Sequence, residues 1–391
     1  MNLTPSLSVF VDEYTLVLLP TNLSSFFDWD KYCEKMIDKF LLLSSFEKIF
    51  GEFVLSNSRI QAGYSAGITV TNRPFHIGIY WNDDSPNMGI CVKVSATALH
   101  FFEAYYKELN GNQIHLYDFI KAVQCPDLYT TRFSRIDFVA DYYNYPSMIN
   151  NSNFISPDEI YSAIKSYDIK IVDYKRQSRI KSIRGIENGG VCETFYIGST
   201  GSGNNGFLRV YDKKVEQIRT RGTYYKKAIE LGSWLRCEAV FKNKYAHDLS
   251  NQILEIDNEN DYTAMIATHI SNKYRFYDNF EDDYLVITQD LIEIANKSII
   301  PALSYEKPID NSLEQSISNL YSCSGLMSIL YKINSLYGNK GVNEFLSNII
   351  DYYENKYLKF KNNKRPVLHW LSQHGIEYIN KRIEDVLEKY C

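Results

Sequence analysis

The hydrophobic pattern changes character along the chain. Ser8 to Leu19, SVFVDEYTLVLL, predicts an opening strand stopped by Pro20. From Ser24 to Phe46 the apolar positions Phe26, Trp29, Met36, Phe40 and Leu43 fall near helical spacing. Strand-like runs follow at Gly63–Thr71, Phe75–Trp81 and Met88–Val94, separated by NRP and NDDSPN turns. Ser95 opens a predicted helix, SATALHFFEAYYKEL, and a short one covers Leu116–Val123. Arg132–Tyr142 reads as a strand, and Ser156-Pro157-Asp158-Glu159 as a helix start with a capping Ser, an early Pro and first-turn acids. Lys170–Ile186 predicts a basic strand or hairpin. The runs YIGS and FLRVY then flank the loop STGSGNNG, a basic helix runs to about Leu231, and Trp234–Lys242 predicts another strand.

After about residue 280 this texture gives way to helical periodicity, with Pro301 and Pro308 at the junction. The expected organisation is an α+β domain on an antiparallel sheet over residues 1–275, then an all-helical domain over 280–391. In the latter, Lys356–Pro366 is basic. The final HWLSQHGIEYINKRIEDVLEKY suits either a small DNA-binding or dimerisation module or a helical cap.

Three strands carry candidate chemistry. In RFSRIDFVADY, Ser134, Ile136, Phe138 and Ala140 form one face, while Arg135, Asp137, Val139 and Asp141 form the other. WLRCEAVFK repeats this, with Arg236, Glu238 and Val240 alternating with an apolar set. Asp137 and Glu238 on neighbouring strands could face one cavity and hold Mg²⁺ or Mn²⁺ with a phosphate. Equally, they could form arginine–carboxylate bridges across a sheet. In the third strand, Arg209 and Tyr211 share a face and Lys213 and Lys214 follow, a place to bring a phosphate to a phenol oxygen. With 32 tyrosines in the chain, that signal is weak alone.

Net charge is −5, but thirteen Lys and Arg against five acids between Lys170 and Lys227 make that stretch +8 and leave −13 for the rest. Such a block is the footprint of a phosphate-backbone partner, or a solvated basic face. Within it Lys175, Arg176, Arg179 and Lys181 are candidate phosphate contacts. Seven scattered cysteines without a CxxC pair, and no HxH or HExxH among seven histidines, argue against a disulfide framework and a histidine metal site. No run of about 18 apolar residues or basic-then-apolar start is present, so a cytoplasmic protein without membrane span or signal peptide is expected.

RIDFVAD, then YIGS…FLRVYDKK, then WLRCE, preceded by NMGICVKVSATALHFFE, resembles in order the signatures of the rolling-circle replication initiators of small plasmids. The relaxases of integrative conjugative elements and conjugative transposons share them. The resemblance covers roughly residues 60–250. It implies a fold related to the HUH single-strand endonucleases, with carboxylates in place of their histidine pair. It makes Tyr211 the nucleophile and Asp137 and Glu238, with Asp141 as a further acid, the ligands of Mg²⁺ or Mn²⁺. Arg135, Arg209, Lys213, Lys214 and Arg236 would contact phosphate.

The implied activity is metal-dependent nicking and religation of single-stranded or extruded origin DNA through a 5′-phosphotyrosine, with a host helicase and a homodimer as partners. A relaxase, a catalytically inactive origin-binding protein and a metal nuclease using water are the alternatives. The start of the chain on a strand, without a helix-turn-helix, favours plasmid replication. The chain departs from the family in its longer Gly/Asn-rich loop and in Val240, where some members carry a second acid.

Overall fold

The computed structural model describes residues 4–21, 28–56, 60–71, 74–148, 153–178, 182–201, 203–298, 313–322 and 325–359, with 371, 375, 378, 379 and 381–387. The chain divides into two units, Met1–Leu303 and Ser304–Cys391.

The first unit is built on a ten-stranded antiparallel sheet. In chain order its strands are β1 (Ser6–Pro20), β2 (Phe53–Leu55), β3 (Ala66–Val70), β4 (Ile77–Trp81), β5 (Ile90–Val94) and β6 (Tyr129–Tyr143). β7 (Ile169–Val172) lies apart, and β8 (Ile183–Asn188), β9 (Val191–Ile197), β10 (Gly206–Asp212) and β11 (Trp234–Lys242) complete the set. Their spatial order is β2-β3-β4-β5-β1-β6-β11-β10-β9-β8. β7 instead joins β12 (Arg275–Asp278) and β13 (Asp283–Tyr284) in a small second sheet. The expected Lys170–Ile186 hairpin is therefore split between two sheets.

Helices cover one face of the large sheet. They are α1 (Trp29–Ser44), α2 (Phe46–Phe50), α3 (Ala96–Asn110), α4 (Leu116–Ala122), α5 (Pro157–Lys165), α8 (Asn243–Leu254), α9 (Glu259–Lys273) and α10 (Val286–Ala295), while α6 (Lys213–Thr220) and α7 (Tyr225–Glu230) lie by the other face, Ala228 packing on Tyr143 and Trp234. Phe40 of α1, Phe102 of α3, Leu249 of α8 and Met265 of α9 meet Leu16, Phe138 and Phe241 of the sheet in one core. Burial of that apolar surface is the main stabilising term. Ser156 caps α5 as expected, accepting a hydrogen bond from the Glu159 N–H. Ser95 does not cap α3; its hydroxyl accepts from the His76 N–H at 3.2 Å and ties the helix start to β4. The basic helix after β10 breaks into α6 and α7 at Arg221, which is left-handed at φ 49°.

The division between units falls later than the pattern predicts. α10 buries Ile287 and Leu291 in the first unit's core, and the Tyr142 hydroxyl donates to the Ile287 carbonyl at 2.9 Å. Helical periodicity alone cannot distinguish a helix that packs on a preceding sheet from one that begins a new unit. The second unit, in its described residues, is helical: α11 (Leu313–Ser322), α12 (Leu326–Asn355), kinked at Gly338, and α13 (Ile383–Leu387). Of the basic Lys356–Pro366 stretch, residues 360–366 lie outside the described residues.

Gly206 starts the strand that carries Tyr211, at φ +150°, and a Cβ there would lie 2.2 Å from the Val240 carbonyl oxygen. Gly206→Ala is expected to lower stability by about 1–3 kcal/mol, read as a lower urea midpoint, because backbone and not a flexible side chain must give way. An unchanged midpoint would mean that β10 starts elsewhere.

Candidate active site

The face of the sheet opposite the helical core is polar because three strands place charge at alternate positions. β6 turns Ile136, Phe138, Ala140 and Tyr142 into the core, and the intervening Arg135, Asp137 and Asp141 to the other side. β11 does the same with Arg236 and Glu238, and β10 with Arg209 and Tyr211. The antiparallel register sets Arg209 opposite Glu238, Tyr211 opposite Arg236, and Arg236 opposite Asp141. Glu238 pairs with Val139, so it lies diagonally between Asp137 and Asp141.

Every one of these carboxylates is held by an arginine. Arg135 forks Asp137, with Nε to Oδ1 at 2.8 Å and Nη2 to Oδ2 at 2.6 Å. Arg236 forks Asp141 at 2.7 and 2.8 Å. Arg209 Nη2 donates to Glu238 Oε2 at 2.6 Å. Tyr211, 6% exposed, donates its phenol hydroxyl to the same Glu238 oxygen at 3.3 Å, with the Arg209 guanidinium 4.5 Å from its ring centre. Burial, and then the Glu238 charge, push the phenol well above its ordinary range, so it rests as a neutral hydroxyl. Burial also raises Asp137 to about 7, against the pull of Arg135 and with Glu238 adding to the rise. Arg209 Nε is buried and has no hydrogen-bond partner among the described residues, an unspent donor near the phenol.

Four further residues of this face were not foreseen. Asp12 and Glu13 sit where the β1–β6 register shifts between Val11 and Glu13, a β-bulge that adds one residue to β1. Val11 thereby stays in the core while Asp12 reaches Arg236 Nη1 at 3.0 Å and Glu13 reaches Arg135 Nη1 at 3.4 Å. The sequence signal was an Asp-Glu pair inside an apolar strand run, since strict alternation would put one acid into the core. His100 and Glu103 of α3 are the others; His100 lies 3.5 Å from Asp12 and 3.8 Å from Glu103.

Burial opposes a charge on His100, but its hydrogen bonds to Asp12 and Glu103 outweigh that and hold the ring protonated up to about 9. A raised folded-state value means that the stabilisation is complete below about 6.5 and is lost as pH rises through about 9. Urea midpoints should therefore fall across that interval for the wild type, and His100→Gln should flatten the fall. An equal slope in the variant would assign it to another group.

Several expected phosphate contacts are placed otherwise. Lys214 donates to the Leu231 and Gly232 carbonyls at 2.6 and 3.0 Å, closing the end of α7, because it starts a helix whose face turns it away from Tyr211. Arg236 is 1% exposed and spent on Asp141 and Asp12, so it organises acids and is not open to a phosphate. Lys213 stays by the phenol, 5.7 Å from the ring centre, while bonded to Glu216 at 2.7 Å.

Lys175 and Arg176 follow β7 of the small sheet, Arg176 stacking on Tyr277 and Tyr284. The chain does not bring them into the Tyr211 cluster. Arg179 and Lys181 lie outside the described residues. The basic block is thus dispersed: Arg219 pairs with Glu193 at 2.9 Å, and Lys170 lies over Tyr277.

The donors suit a hard divalent cation in type but not in arrangement. Both oxygens of Asp137 and of Asp141 are spent in arginine forks, and among the described residues no group of three or more His, Cys, Asp or Glu is set to hold a metal ion. The arginine–carboxylate alternative describes the site as it stands. Seating a cation would require an arginine to be drawn off. Among the described residues no helix is long and apolar enough to cross a membrane, and the five described cysteines are free thiols.

Residues 131–290, from within β6 into α10, match the family model of the replication initiation factor. That segment is similar to the replication initiation factor family. It contains Asp137, Asp141, Tyr211 and Glu238, while the Asp12 bulge and His100 fall before it. Among solved structures, the rolling circle replication initiator protein from Geobacillus stearothermophilus superposes with a TM-score of 0.50. The overlap covers 74% of this chain and 97% of that one at 16% identity, a shared fold. No curated protein matches the chain closely enough to count as a relative. In the replication initiation factor segment, the polar sheet face around Tyr211 is therefore the place to look for chemistry.

Proposed function

We propose that this chain initiates rolling-circle replication by nicking and rejoining one strand of origin DNA through Tyr211. The observation that carries this reading is the cluster of a buried phenol, an arginine and a carboxylate on one sheet face inside the replication initiation factor segment.

Tyr211 Oη attacks the scissile phosphorus, and its proton passes to Glu238 Oε2, 3.3 Å away. The P–O3′ bond breaks, and the departing oxygen takes up a proton from solvent water to become a 3′-hydroxyl that can prime synthesis, while Glu238 returns its proton to solvent. The 5′-phosphate remains on the tyrosine as a diester, so the reverse attack rejoins the strand without ATP. Arg209, with its unspent Nε, and Lys213 supply positive charge where the phosphate's charge builds up. Arg135 and Arg236 hold the acids in register. No step of this scheme runs through a divalent cation.

The test is a labelled single-stranded oligonucleotide library incubated with the full chain and run on a denaturing protein gel. A DNA-shifted protein band supports the reading. Cleavage without such a band would hand the attack to water.

A further inference from the structure

A cavity of about 300 Å³ abuts the nucleophile's strand pair and takes no part in the scheme above. One of its walls is Arg236, the cross-strand neighbour of Tyr211; another is Trp234, two residues along the same face of β11. Trp234 meets Tyr143 at a tilt and Tyr224 edge-on, at ring-centre separations of 5.4 and 6.0 Å from the indole. The exposed Lys227 reaches in between, 4.1 Å from the Tyr143 ring and 5.0 Å from the Trp234 ring, and donates to the Tyr143 hydroxyl at 2.9 Å.

From these walls we infer that the cavity receives a nucleobase flanking the scissile phosphate and reads its identity. The inference rests on the nicking scheme for its location. Three features set the ligand class. Aromatic plates beside a polar opening suit a flat ring that stacks. Carboxylates of Glu103, Asp141 and Glu259 line the same space and offset the cations of His100, Lys227 and Arg236, so the walls carry no surplus positive charge for a phosphate and favour an uncharged group with donors and acceptors.

Polar partners for the ring edge are also at hand. The Trp234 indole N–H is buried and has no hydrogen-bond partner among the described residues. Ser8–Val11 of β1 line the cavity; they pair with β6 on one edge, and among the described residues their other edge has no strand partner, because β5 pairs β1 only from Tyr14 onward. Lys227 covers the Tyr143 and Trp234 rings in the free protein and can swing out to uncover them, as its side chain is anchored by one hydrogen bond and ring contacts.

The test separates base reading from nicking by using Tyr211→Phe, which cannot form an adduct. A randomised single-stranded DNA pool is selected for binding to the full chain carrying this change, and the bound fraction is sequenced. Tyr224→Ala and Lys227→Gln are then added singly; both positions are outside the main core, and thermal melts confirm folding. The parent is expected to enrich one base at a single position, and each added change to relax that preference about tenfold or more while total binding changes much less. The proposal is overturned if the parent enriches no base, or if the added changes leave the preference intact. The wild-type adduct gel is read separately: an adduct with no pocket-dependent preference sinks the base site alone, and preference without an adduct sinks the nicking scheme alone.

Discussion

Tyr211→Phe is expected to abolish the covalent protein–DNA band and to slow strand cleavage by about four orders of magnitude or more, while leaving the protein folded. Phenylalanine fills the same buried space, so packing around the ring is kept. What is lost is the attacking oxygen and a long hydrogen bond of 3.3 Å to Glu238, whose tighter partner, Arg209 at 2.6 Å, remains. A stability change near zero in urea, together with lost cleavage, is the expected pair of results. Lys214→Ala is the control, since that lysine bonds backbone carbonyls at the end of α7 and should leave the chemistry intact. Cleavage persisting at wild-type rate in Tyr211→Phe would reduce the phenol to a core aromatic.

The largest stability effect is expected at Arg236. Its guanidinium is 1% exposed and satisfies both oxygens of the fully buried Asp141 and one of Asp12. Arg236→Leu leaves two carboxylates in a water-poor site with one cation removed, and breaking a buried pair this way costs about 3–5 kcal/mol. Adding Asp141→Asn should restore part of the loss, because a neutral amide no longer pays for unshielded charge. Urea unfolding of the single and double variants measures both steps. A loss under about 1 kcal/mol in the single variant, or no recovery in the double, would show that water or His100 compensates these acids.

These two residues look alike in sequence, each a polar residue alternating with apolar ones on a predicted strand. The structure separates them by what lies opposite. Tyr211 faces a carboxylate with an unspent arginine donor nearby, whereas Arg236 is enclosed by acids from two other strands. The pairing of β6 with both β1 and β11 brings residues 12, 141 and 236 together, and no local pattern encodes a contact across that separation. The same holds for Lys214, next to Lys213 in the chain but turned away from it by the onset of α6.

The sequence by itself determined the strands that carry the candidate site, the faces on which Asp137, Asp141, Tyr211 and Glu238 lie, and the helical texture of the C-terminal stretch. Those follow from alternation and periodicity, which are short-range properties of the backbone. Only the tertiary structure decided that each of these acids is paired with an arginine. It alone also decided that Asp12 joins them through a bulge, that α10 belongs to the first unit, and that the basic block is dispersed. Each of these depends on register between distant strands and on the cost of burying charge, and both are settled only when the chain closes on itself.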